Sequence, residues 1–290
     1  MSNPSEIPSP LVETAWLAEQ LGASDLRVLD CSVVRKDNPD GSYGFGSGKD
    51  AWEKSHIPGS IFVDVLKELS DPNGKTSLMM PAIDDFARIM AGRGVGDETR
   101  VVLYDNSNHA WAARVWWMLR VCGFDNAAVL NGGWNKWQAE GQATSTGASA
   151  HPAATFTPRP RPELMVTKEQ VLASLDQQGV TLINALSPQM FNGEVVLFPR
   201  PGRIPGSKNV YCQTLVDPEN HNYVDAVRMR QLFEDSGALE ADQVITYCGG
   251  GIAASSDALA LVLLGVENVA VYDGSMSEWT ADPDMPLETE

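Results

Sequence analysis

The chain of 290 residues predicts an α/β protein built from two tandem domains, each a mainly parallel sheet with helices on both faces. Three observations carry that prediction. Short β-prone runs alternate with segments of helical periodicity along the whole chain. The element order of the first half returns in the second. Between them, Gly141 to Pro162 is rich in Ala, Thr, Ser and Pro, as expected of an extended linker, which sets domains at 1–140 and 163–290 around a linker at 141–162.

In the first half, Leu11 to Leu21 has helical spacing with Gly22 as its stop, and Leu26 to Cys31 reads as a buried strand. Polar, glycine-rich Arg35 to Gly48 predicts a loop. His56-Ile57-Pro58-Gly59-Ser60 is a turn before the strand Ile61 to Val63, and Ile83 to Ala91 is helical. Val101 to Tyr104 is a strand ending at Asp105, Ala112 to Cys122 an apolar helix stopped by Gly123, and Ala127 to Leu130 a strand before Asn131-Gly132-Gly133-Trp134. Trp111, Trp116 and Trp117 belong to this helix region and predict core packing rather than cofactor stacking.

The second half answers these landmarks at a nearly constant offset of about 145 residues. Val180 to Asn184 answers the strand at Val28, Arg203-Ile204-Pro205-Gly206-Ser207 answers His56 to Ser60, and Val244 to Cys248 answers Val101 to Asp105. Val271-Tyr272-Asp273-Gly274-Ser275 with Trp279 answers Val129 to Gly133 with Trp137.

Composition narrows the chemistry. A hydrophobic fraction of 43% is that of a globular protein, while a formal net charge of -17 argues against a nucleic-acid surface or an anionic membrane as partner. Cys31, Cys122, Cys212 and Cys248 are widely spaced without a Cys-x2-Cys pair, and with only 4 histidines a zinc site is not expected. They read as free thiols in a reducing compartment. Met1 to Pro10 lacks a basic start and an apolar run, and no stretch reaches the ~18 apolar residues of a membrane span, so a cytoplasmic location is expected.

The stretch with most chemical content is Val244-Ile245-Thr246-Tyr247-Cys248-Gly249-Gly250-Gly251-Ile252-Ala253-Ala254, read as strand, tight loop and helix. Successive backbone N–H groups in such a loop make an anion-binding concavity, and the helix adds its positive end. A cysteine at its mouth is expected to ionise readily, whereas the bland alternative is a small core hydrophobe at a βα turn. A phosphatase loop would place an arginine at Ala254, and a Walker loop would carry Gly-Lys-Ser/Thr; neither pattern is present. The matching first-half loop, Asp105-Asn106-Ser107-Asn108-His109, has neither thiol nor glycine and is expected to be unable to form the same cradle. The first half then reads as scaffold that helps wall the cleft.

His56-Ile57-Pro58-Gly59, Arg114-Val115-Trp116-Trp117-Met118, Asn131-Gly132-Gly133 and Tyr272-Asp273-Gly274-Ser275, in that order with the six-residue Cys248 loop, resemble the rhodanese family, specifically its tandem sulfurtransferases with an inactive first domain. The resemblance implies two rhodanese-like domains and sulfur transfer from thiosulfate or a related small sulfur-containing anion to a thiol, cyanide or protein acceptor, through a persulfide on Cys248 held by Gly249, Gly250, Gly251, Ile252, Ala253 and Ala254. No metal or organic cofactor is implied. Alternatives are 3-mercaptopyruvate as donor, or a persulfide carrier serving a protein partner. Two departures bear on substrate: the family's Asp-x-Arg is Asn184-Ala185-Leu186 here, and its second arginine falls on Met190. Arg200, Arg203 and Lys208 are the nearest replacements. Of these Arg203 is the candidate substrate-binding residue, its alternative reading being a surface residue at a turn.

Overall fold

Two five-stranded parallel sheets carry the fold, and they share one strand order. The computed structural model describes residues 6–37 and 43–289. These divide into two compact units: unit 1 comprises Met1–Pro72, Met80–Pro160 and Pro218–Asn222, and unit 2 comprises Asn73–Met79, Arg161–Asp217 and Tyr223–Glu290.

Unit 1 contains β1 (Leu11–Val12), α1 (Thr14–Gln20), β2 (Leu26–Asp30), β3 (Val33–Asp37), β4 (Tyr43–Ser47), α2 (Lys49–Lys54), β5 (Ile61–Phe62), α3 (Ile83–Gly92), β6 (Arg100–Tyr104), α4 (Ala110–Val121), β7 (Ala127–Leu130) and α5 (Gly133–Ala139). Its sheet runs β1-β7-β6-β2-β5. Unit 2 contains β8 (Met165–Val166), α6 (Lys168–Ser174), β9 (Val180–Asn184), α7 (Pro188–Phe191), β10 (Lys208–Asn209), α8 (Ala226–Glu234), β11 (Gln243–Tyr247), α9 (Ile252–Leu263), β12 (Val269–Tyr272) and α10 (Ser275–Ala281). Its sheet runs β10-β9-β11-β12-β8, the same order counted from the other edge. The central strands β6 and β11 are buried almost throughout, as a parallel sheet covered on both faces requires.

Side chains repeat as well as strands. The Tyr104 hydroxyl lies 3.0 Å from Ser60 Oγ, and the Tyr247 hydroxyl lies 2.6 Å from Ser207 Oγ. Trp137 Nε1 donates to the Ala143 carbonyl at 2.8 Å, and Trp279 Nε1 to the Pro286 carbonyl at 2.8 Å. Each buried aromatic therefore has its polar end satisfied in the same way. Trp116 does likewise, donating to the Ala127 carbonyl at 3.0 Å, in keeping with core packing.

Two local expectations are corrected. Leu11 and Val12 are not helical: they pair in parallel with Val129 and Leu130, and the helix starts at Thr14. Edge pairing overrides the helical spacing of a two-residue piece. Within Arg35 to Gly48, β3 and β4 form an antiparallel ribbon with Arg35 opposite Phe45, although part of the expected loop lies outside the described residues. Its glycines mask the alternation in the sequence; Arg35 lies 4.1 Å over the Tyr43 ring, and Phe45 meets Trp111 edge-on at 5.2 Å.

The segment after α5 is extended chain fastened along unit 1. Ser145 exchanges backbone hydrogen bonds with His56, Ala154 N–H donates to Ala91, and Arg159 N–H donates to Cys122 at 2.7 Å. Phe156 is buried against Phe86 and Phe124. Gly123, at φ +79, is where this chain passes, and a Cβ there would collide with the Arg159 backbone. No helix among the described residues is long and apolar enough to cross a membrane.

Candidate active site

β11 ends at Tyr247 and α9 begins at Ile252, so Cys248 to Gly251 form the whole connection at the carboxyl end of a central strand, where ligands bind in such sheets. Gly251 closes it at φ +79, a left-handed conformation that glycine adopts without penalty. Cys248 is 2% exposed. Its backbone is clamped: Met276 N–H donates to the Cys248 carbonyl at 2.9 Å and Ser277 N–H to the Gly249 carbonyl at 3.0 Å.

Ser275 is the support that sequence reasoning missed. Its Oγ accepts from the N–H groups of Cys248 at 3.1 Å and Gly251 at 3.2 Å, and donates to the Tyr272 carbonyl at 2.7 Å. One hydroxyl thus ties both ends of the loop to the end of β12. To do so Ser275 sits at φ +48, a strained conformation for a side-chain-bearing residue. The equivalent place in unit 1 is Gly133, at φ +52. A serine where the repeat has a glycine was the only clue available in the sequence.

The first-half loop corrects a third expectation. The Asp105 carboxylate accepts backbone N–H bonds from Ser107 at 2.8 Å, His109 at 3.2 Å, Trp111 at 3.1 Å and Ala112 at 3.0 Å. Unit 1 does build an amide cradle, and fills it with its own side chain. Unit 2 reaches its helix one residue sooner and places Cys248 where Asp105 stands. Counting from the helix start, Ala253 and Ala254 are the counterparts of Trp111 and Ala112, and first-turn N–H groups have no intrahelical acceptor.

The candidate cations fall into different settings. Arg200 donates to the carbonyls of Thr280 at 3.1 Å, Met285 at 2.9 Å, Trp279 at 3.2 Å and Asp282 at 2.5 Å. It caps the carboxyl end of α10 with four of its five N–H donors, which makes it an anchor for that turn. Arg200→Met is expected to cost about 2–3 kcal/mol of stability, because it strips partners from four carbonyls at a helix terminus; thermal unfolding measures it, and an unchanged midpoint would contradict the anchor role. Arg203 lies 4.5 Å over the Phe191 ring with Nε 3.5 Å from Glu288, while its backbone bridges Glu288. Lys208 is exposed on edge strand β10. Lys75, brought into unit 2 by the Asn73–Met79 segment, pairs with Glu278 at 3.2 Å.

The other three cysteines are free and buried. Burial pushes the Cys122 thiol up to about 12 and the Cys31 thiol well above its ordinary value. Cys212 is likewise raised, by burial first and then by the charges of Asp257 and Cys248.

Comparison with known proteins agrees with this architecture. The rhodanese-like domain family matches twice, at residues 13–140 and 167–282. The chain is 32% identical over 277 residues to the 3-mercaptopyruvate sulfurtransferase of Escherichia coli strain K12, covering 94% of this chain and 95% of that one. It is 32% identical over 282 residues to the thiosulfate sulfurtransferase of Cricetulus griseus, covering 93% and 91%. The crystal structure of SseA from Escherichia coli, a 3-mercaptopyruvate sulfotransferase, superposes with a TM-score of 0.81 at 30% identity over 93% of this chain and 100% of that one. Two matched domains, near-complete coverage and the shared fold make this chain a member of the rhodanese family, and a sulfurtransferase.

Proposed function

We propose that Cys248 takes the sulfane sulfur of thiosulfate or a related anion and holds it as a persulfide. The Cys248 thiolate attacks the outer sulfur, the donor's S–S bond breaks, and sulfite leaves with the bonding pair. The terminal persulfide sulfur then carries the negative charge beside the N–H groups of Gly249, Gly250, Gly251, Ile252, Ala253 and Ala254, until an acceptor thiol, cyanide or protein thiol removes it. This is covalent catalysis in two half-reactions, with an amide cradle supplying the electrostatic part. One observation supports it above the others: in unit 1 the same kind of loop and helix start surrounds the Asp105 carboxylate with four N–H donors, so this arrangement is suited to a negative group at the place Cys248 takes.

In this reading Arg203 anchors the carboxyl-terminal segment through Glu288 rather than binding donor. The working location is the cytoplasm, where free thiols persist, and no metal or organic cofactor takes part. A second reading, 3-mercaptopyruvate as donor with pyruvate as the leaving group, is favoured by the relatives that carry that name. The lack of both family arginines, with Arg200 committed to four carbonyls, counts against it.

Intact-protein mass spectrometry before and after each donor separates these readings. Thiosulfate is expected to add one sulfur atom, removable by cyanide, at lower donor concentration than 3-mercaptopyruvate. The reverse order would move the assignment to the second reading, and no gain from either would move it to a carrier loaded by a protein.

A further inference from the structure

Immediately before Phe198, unit 2 presents three consecutive aliphatic side chains to solvent: Val195 at 43%, Val196 at 53% and Leu197 at 49% exposure. Phe198 then turns inward and packs on the apolar core of unit 2. Its Cζ would lie 3.0 Å from a Cβ placed on Gly249, so the ring occupies the space that a side chain next to Cys248 would take. The segment is held at both ends. Val195 N–H donates to the Gln189 carbonyl at 3.0 Å, and Arg200 is fixed by its four carbonyls. Single exposed aliphatics are ordinary, but a fastened run of three that continues into a ring against a reactive loop is a binding feature.

Charge decides what kind of molecule fits. Arg200 is committed to carbonyls, Arg203 faces Glu288, and Lys75 faces Glu278. The segment's own charged neighbour is Glu194, and the whole chain carries -17. Lys208, exposed on edge strand β10, is the remaining candidate cation. With a net charge of -17 on the chain a negatively charged acceptor is disfavoured overall, whereas an apolar body loses water against the aliphatic run.

We propose that Val196, Leu197 and Phe198 form the rest for the sulfur acceptor, and that the acceptor is an uncharged small thiol with an apolar body. The inference builds on the Cys248 persulfide. The acceptor thiol loses its proton, its sulfur attacks the outer persulfide sulfur, the S–S bond to Cys248 breaks, and the electron pair returns to Cys248 Sγ. The proton ends on the new organic persulfide, so atoms and charge balance.

The test starts from protein loaded with thiosulfate and freed of donor, and follows loss of the extra sulfur by mass spectrometry with 2-mercaptoethanol, mercaptoacetate, and straight-chain thiols from propanethiol to hexanethiol. The second-order rate is expected to rise about two- to fourfold per added methylene, the range from half to full burial, and to be lowest for mercaptoacetate. In the Val196→Ser, Leu197→Ser double variant the dependence on chain length flattens. That slope is a ratio within one protein, so a smaller folded fraction cancels. A flat series in the unmodified protein, an unchanged slope in the variant, or preference for mercaptoacetate would overturn the inference while leaving the persulfide intact. Failure to gain sulfur at loading would remove the persulfide reading itself, and this one with it.

Discussion

Replacement of Cys248 by serine is expected to abolish sulfur gain from thiosulfate and to lower turnover by on the order of a thousandfold or more. Oxygen in place of sulfur leaves the loop geometry alone, because the clamp on this residue runs through its backbone: the Met276 N–H bond to its carbonyl and its own N–H bond to Ser275 Oγ. The substitution exchanges one small side chain for another of nearly the same shape, so the stability cost is expected to stay within about 1 kcal/mol. What changes is chemistry, since an alcohol is barely ionised at neutral pH and does not form the stable sulfur–sulfur bond that stores the transferred atom. Mass spectrometry with thiosulfate, alongside thermal unfolding, checks both halves. A variant that still gained one sulfur would place the acceptor on another cysteine. The remaining thiols are poor candidates, given the upward pKa shifts that burial imposes on Cys31, Cys122 and Cys212.

The sequence made legible whatever is local and periodic. Val101 to Tyr104, Ala127 to Leu130 and Val180 to Asn184 read as buried strands because their apolar runs are short, uninterrupted and bounded by turn residues. The internal repeat, visible in the Ile-Pro-Gly-Ser and Trp landmarks, reappears in the shared strand order and in the paired Tyr–Ser contacts. What stayed hidden depends on contacts distant in sequence. Asp105 looked like the loss of a thiol, yet its carboxylate fills the cradle, because an acidic side chain can reach back to the amides that follow it. Arg200 read as one of the nearest replacements for the family arginines, and only the chain's return at Trp279 to Met285 supplies the carbonyls that hold it. Ser275 read only as the last residue of the Tyr272-Asp273-Gly274-Ser275 landmark. Its role needs β12 to deliver it beneath a loop 24 residues earlier.

The second large effect is expected far from any substrate. Asp257 sits in the second turn of α9, is fully buried, and neither carboxylate oxygen has a hydrogen-bond partner. The position matches Val115 on α4, so an ionisable group occupies a seat that the repeat fills with an aliphatic one. Burial alone pushes this carboxyl well above its ordinary 3.8. A raised carboxylate pKa means that the folded state holds its proton more tightly than the unfolded state. Below pH 3.8 both states are protonated and the group imposes no penalty. As pH rises from there toward the raised folded value, the unfolded state ionises first, and stability falls by about 1.4 kcal/mol per pH unit. Asp257→Asn cannot titrate and should escape that loss. Near pH 4 the variant is expected to match the unmodified protein or fall slightly below it, since a buried amide also lacks partners. By pH 7 it should be the more stable of the two. Thermal or urea unfolding of both proteins between pH 4 and 7 measures the difference, in which contributions from every other group cancel. Parallel curves would mean that Asp257 is ionised in the fold beside a compensating positive charge. A widening gap would mean that α9 carries a buried, protonated carboxyl and that its ionisation works against the fold.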